Sequence, residues 1–127
     1  MPARNSFDYS VIRVVPRVER GEHLNAGVVL FCRTQEFLGA RVALDRARLR
    51  ALSADADADL IARHLEALVA VCDGSLDGGP IAALPRPERF HWLVAPRSTV
   101  IQVSPVHSGL CEDPAAALAR LFGQLVG

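Results

Sequence analysis

Apolar residues recur at every second position in some stretches of this chain and at every third or fourth in others, and the changes of period divide it. Residues 7–15, Phe-Asp-Tyr-Ser-Val-Ile-Arg-Val-Val, are rich in β-branched side chains and apolar on both alternating sets, then halted by Pro16. That pattern predicts an interior strand. Residues 25–32 predict a second strand and residues 37–43 a third, joined by Arg33-Thr-Gln-Glu36, a length suited to an antiparallel hairpin. After Leu44 the period lengthens. Asp45 is placed to cap a short helix ending at Leu52, and Ser53 to cap a longer one over residues 54–73. In the longer helix Leu60, Ile61, His64, Leu65, Leu68, Val69 and Cys72 form one stripe, and Gly74 closes it. Pro87 opens a short helix over 87–94. The Val-Ile-Gln-Val core of residues 99–104 predicts a fourth strand, and Asp113 followed by Pro114 starts a last helix over 113–126. The expected architecture is one α+β domain over residues 1–127, a mostly antiparallel sheet of about four strands with the helices packed on one face.

Composition narrows the function classes. Half of the 127 residues are hydrophobic and the formal net charge is zero, which suits a folded domain and gives no basic excess for non-specific phosphate binding. All 14 basic residues are arginine, whose planar fork grips carboxylate or phosphate through two hydrogen bonds. There is no leader-like apolar run at the start and no continuous apolar stretch of about eighteen residues, so a cytoplasmic protein is expected. The three cysteines, Cys32, Cys72 and Cys111, are widely spaced and read as free thiols.

Arginine within an apolar strand is the first chemical signal. Arg13 shares its face with Tyr9, Val11 and Val15, so its charge must reach water or a partner. If the strand over residues 99–104 lies beside the first, Arg13 and Gln102 share a face. Arg20, Glu22 and Asn25 then stand at one margin, with Arg97, Ser98, Ser104 and His107 at the ends of the later strand. Such a group is suited to an anion: guanidinium groups supply charge, hydroxyls and amides orient the ligand, and a histidine supplies a switchable proton. The competing structural account has Arg20 and Arg97 paired with Glu19, Glu22 or Asp113, and Ser98, Ser104 and His107 capping turns. Both accounts are open at this level.

Three stretches also carry a resemblance: Tyr9-x-Val-Ile-Arg-x-Val-Pro16 with Arg20-Gly-Glu22, then Asn25-x-Gly-Val-Val-Leu-Phe31, and finally Arg97-Ser-Thr-Val-Ile-Gln102 with Ser104-Pro-Val-His107 and Gly109-Leu110. Through them the chain resembles the small bacterial proteins of domain of unknown function 3037. The resemblance spans nearly the whole chain, although residues 45–87 carry no matching motif. It implies a bacterial cytoplasmic protein and, as a partner, a HipA-like protein kinase; it implies no activity.

The preferred expectation is a binding or regulatory module that engages an anionic small molecule or a protein partner. One rival is a small hydrolase or transferase with His107 as general base and Arg97 or Arg20 holding the anionic charge. Another is a nucleic-acid accessory protein using Arg41, Arg46, Arg48 and Arg50. Pairing His107 with Cys111 as base and nucleophile matches no known spacing. The set His91, His107 and Cys111 lacks the paired spacing that anchors zinc. No cofactor or metal is expected.

Overall fold

The computed structural model describes residues 4–96 and 99–126. Three strands come first: β1 (Asn5–Val14), β2 (Leu24–Cys32) and β3 (Phe37–Val42). Helices α1 (Arg46–Leu52) and α2 (Ala58–Asp73), two 3₁₀ turns (Leu76–Gly78 and Pro80–Ala83) and α3 (Arg86–Leu93) follow. The chain ends with β4 (Ile101–Val103), β5 (His107–Cys111) and α4 (Pro114–Leu125). The sheet is antiparallel, in the order β3-β2-β1-β4, and β5 also pairs with β1.

The strand predicted over residues 99–104 is β4, shortened to Ile101–Val103, and β5 is a fifth strand that the sequence reading did not predict. β4 pairs with the C-terminal end of β1 and β5 with its N-terminal end, and the chain breaks pairing between Ser104 and Val106. Pro105 has no N–H to donate, which accounts for the interruption. The first and last stretches of the family resemblance are therefore neighbours in the sheet.

Helices cover both faces rather than one. Ile12, Val14, Leu24, Ala26 and Val29 pack with Leu49, Leu65, Leu68 and Leu93 of α1, α2 and α3. On the other side Phe7, Val28, Leu30 and Cys32 pack with Ala117, Leu118 and Leu121 of α4. The cause is legible in β2, whose alternating sets are both apolar: a single covering layer would leave Val28, Leu30 and Cys32 in water.

Of three helix starts assigned from a capping residue, two fall where the sequence places them and one does not. α1 begins as expected, with the Asp45 side chain accepting from the Arg48 N–H, and α4 begins with Asp113 accepting from the Ala115 N–H. Ser53, however, ends α1 instead of starting α2; the carboxylate accepting from the Leu60 N–H belongs to Asp57. The expected helix is shortened to begin at Ala58, and only Asp59 lies in its first turn. Its buried stripe is Ile61, Leu65, Leu68, Val71 and Cys72, so Leu60 and His64 lie outside it and Val71 replaces Val69. Gly74 closes the helix in the left-handed conformation, with φ +70°.

Candidate functional site

A bulge in β2 creates the site. Ile12 lies opposite Gly27 but Arg13 lies opposite Asn25, so Ala26 is an extra residue in the β1–β2 ladder. The insertion turns Ala26 toward the α1–α3 core while Val28, only two positions on, points to α4. Asn25 is thereby carried to the α4 face. Gly27 is required at this corner, because a Cβ there would sit 2.7 Å from the Arg41 carbonyl oxygen and 2.9 Å from Val42 Cγ1.

On that face three polar residues line up across three strands: Asn25 on β2, Arg13 on β1 and Gln102 on β4, each opposite the next. All three are half-buried. Asn25 Nδ2 donates to the Leu125 carbonyl at 3.0 Å, joining the row to the last turn of α4, and Gln102 Nε2 donates to the Thr99 carbonyl at 3.0 Å. Arg13 is different. Among the described residues no carboxylate forms an ion pair with it, and its Nε is buried without a hydrogen-bond partner. The row is a cation held between two amides on a sheet, beside the end of a helix.

The other candidates are placed less uniformly. Arg20 stands in the turn after β1, which Gly21 completes at φ +71°, and its Nε lies 2.5 Å from Glu22 Oε1. Both side chains are largely exposed, and the pair neutralises itself. Arg97 and Ser98 lie outside the described residues. Ser104 is 3% exposed. Its hydroxyl accepts from the Val11 N–H at 2.8 Å and donates to the Pro105 carbonyl at 2.9 Å, while its own carbonyl accepts from the Ser10 hydroxyl at 2.5 Å. Ser104 therefore stitches the break between β4 and β5 to β1. Ser10, which sequence reasoning did not single out, belongs to the same knot; a serine inside an apolar strand was its only signal.

His107 is exposed, opposite Tyr9, with ring centroids 5.4 Å apart. Tyr9 and Arg13 share a face of β1, separated by roughly 13 Å of strand. His107 therefore overlooks the same face from its far end.

The base-and-nucleophile pairing does not form. His107 and Cys111 are at opposite ends of β5, about 13 Å apart. Cys111 is buried at 8% exposure; burial, followed by the neighbouring Cys32 thiol, pushes its pKa up, away from the thiolate. His91 lies on α3 and His107 at the sheet edge on the α4 face, so the trio with Cys111 is not assembled. Among the described residues no group of three His, Cys, Asp or Glu side chains is arranged to hold a metal ion. The arginine run of α1 is partly committed too, since Arg46 Nη1 meets Asp59 Oδ1 at 2.8 Å.

A buried arginine elsewhere also escaped the sequence reading. Arg89 of α3, 8% exposed, donates through Nη1 to the Val71 and Cys72 carbonyls at 2.9 and 2.8 Å, closing the C-terminal end of α2 with a positive charge. This contact joins residues 17 and 18 positions apart, and no local pattern announces it.

No helix among the described residues is long and apolar enough to cross a membrane. No curated protein and no solved structure matches the chain. The model of a family described as a protein of unknown function, DUF3037, matches residues 9–126 of the 127, and the chain belongs to that family.

Proposed function

We propose that this protein is a binding module that receives an anionic group on the row Asn25–Arg13–Gln102. The observation that carries the reading is the state of Arg13, whose buried Nε has no partner and which no described carboxylate neutralises. A buried donor left unsatisfied is costly, and an oxyanion bound through two guanidinium hydrogen bonds removes that cost. The flanking amides have further polar atoms to orient such a ligand. Arg20 contributes less than its position suggests, because Glu22 already holds it.

The chemistry asked for is a phosphoryl or carboxylate group, on a small molecule or on the surface of a protein. The HipA-like kinase implied by the family resemblance is the protein partner to try first. Calorimetric titration with inorganic phosphate and with a phosphoserine peptide, against the wild type and Arg13→Gln, tests the reading. Heat of binding that disappears in the variant supports it, and equal heats, or none with either anion, refute it.

A further inference from the structure

The opposite edge of the sheet carries a second feature. β3 pairs only with β2, so its outer side is an open strand edge. The Ala43 N–H donates to the Ala26 carbonyl, which fixes the phase of the ladder: Arg41 and Gly39 turn their backbone groups toward β2, and Leu38, Ala40 and Val42 turn theirs outward. Among the described residues none of those three N–H groups has a backbone partner outside the sheet. Such a row is a template for another strand.

Beside it runs an open groove of about 680 Å³, lined by β3, α2, the first 3₁₀ turn and Phe122 of α4. Glu66, Val69, Ala70 and Asp73 line it as one stripe of α2, and Asp77 extends the acidic wall into the first 3₁₀ turn. None of the three carboxylates forms an ion pair with a described residue. Between Ser75 and Asp77, Leu76 is 99% exposed, an apolar side chain held wholly in water at the rim. The lining cation, Arg41, lies over the Phe122 ring on the α4 side, 5.3 Å from its centroid.

A second copy of this chain is a poor occupant. Two β3 strands paired about a two-fold axis perpendicular to the sheet would keep each face with its like, bringing α2 alongside α2 and the acidic walls toward each other. Arg41 of each copy lies over Phe122, and one guanidinium per copy does not balance three carboxylates. The charge asks for a different chain.

We infer that the β3 edge receives an extended basic segment of a partner protein as an added strand, with lysine or arginine at alternate positions facing Glu66, Asp73 and Asp77. The residues between them face the Phe122 side, where Arg41 disfavours further positive charge. Because successive side chains of a strand alternate in direction, the backbone ladder supplies attachment and the acidic wall supplies the choice of sequence.

The test uses the full chain and a fluorescein-labelled, end-capped hexapeptide of alternating lysine and valine, followed by anisotropy at low salt. Saturable binding is expected, with the Leu38, Ala40 and Val42 amides becoming protected from hydrogen exchange. Ala40→Pro, which deletes one outward N–H, and the double variant Asp73→Asn/Asp77→Asn are each expected to weaken binding by about tenfold or more. If Ala40→Pro fails to fold, a peptide N-methylated at its central valine blocks the ladder from the other side and should lose binding to the same degree. A glutamate–valine peptide of equal length that binds as well, affinity untouched by both protein variants, or no binding at millimolar peptide would overturn the inference. So would self-association abolished by Ala40→Pro, which would assign the edge to a second copy.

Discussion

Arg13 and Asn25 lie opposite each other on β1 and β2 because Ala26 is inserted into the ladder beside them. In a regular ladder Ala26 would lie opposite Arg13, and Asn25, opposite Val14, would point into the apolar layer beneath α1, α2 and α3. The bulge thus converts a buried polar liability into a surface row. It also explains why Asn25 reaches the Leu125 carbonyl at the end of α4.

The state of Arg13 has a consequence for stability. A side chain held for packing or pairing destabilises when removed, but Arg13 forms no pair with a described residue and keeps an unsatisfied buried Nε. Arg13→Gln is therefore expected to leave the urea unfolding midpoint unchanged or to raise stability by up to about 1 kcal/mol. A loss well beyond that would assign Arg13 to holding the C-terminal end of α4 instead.

Ser104 predicts the opposite behaviour. Its hydroxyl is the acceptor for the Val11 N–H at the break between β4 and β5, so Ser104→Ala leaves a buried donor unmet. The expected cost is about 1–3 kcal/mol, read by chemical denaturation. Ser10→Ala should show coupling to it in a double-mutant cycle, since the two side chains share the knot.

Arg89 is a third point of leverage. It is buried and its Nη1 holds two carbonyls at the end of α2, so Arg89→Met should destabilise by about 2–4 kcal/mol and expose the helix end to faster hydrogen exchange. An unchanged exchange rate at Val71 and Cys72 would remove this cap from the account.

Cys72 gives a pH dependence with a definite sign. Burial foremost, with Asp73 adding to it, pushes its thiol from 9.0 up to about 12. The unfolded chain therefore loses its proton first as pH rises. Stability from the protonated thiol is complete below about pH 9 and declines between 9 and 12, and Cys72→Ala should flatten that decline. Denaturation midpoints measured at several alkaline pH values decide it.

How far the sequence carried these conclusions depended on whether the determining contacts were local. The hairpin of β2 and β3, the caps at Asp45 and Asp113 and the stop at Gly74 were legible because turn chemistry and period reside in consecutive residues. So was the shared face of Arg13 and Gln102, once the two strands were set side by side. The second helical layer required noticing that both alternating sets of β2 are apolar. The bulge at Ala26, the hydroxyl knot of Ser10 and Ser104 and the cap by Arg89 were hidden, since each depends on partners far away in the chain. The pairing of Arg20 with Glu22 was among the alternatives and is what the fold adopts.

The central claim is that an anion binds at Arg13, and the most direct measurement is an amide-resolved NMR titration with inorganic phosphate at constant ionic strength. The account predicts saturable shifts centred on Arg13, Asn25 and Gln102 in the wild type and their absence in Arg13→Gln, whose remaining spectrum stays folded. Shifts centred elsewhere, or the same shifts in the variant, would contradict it.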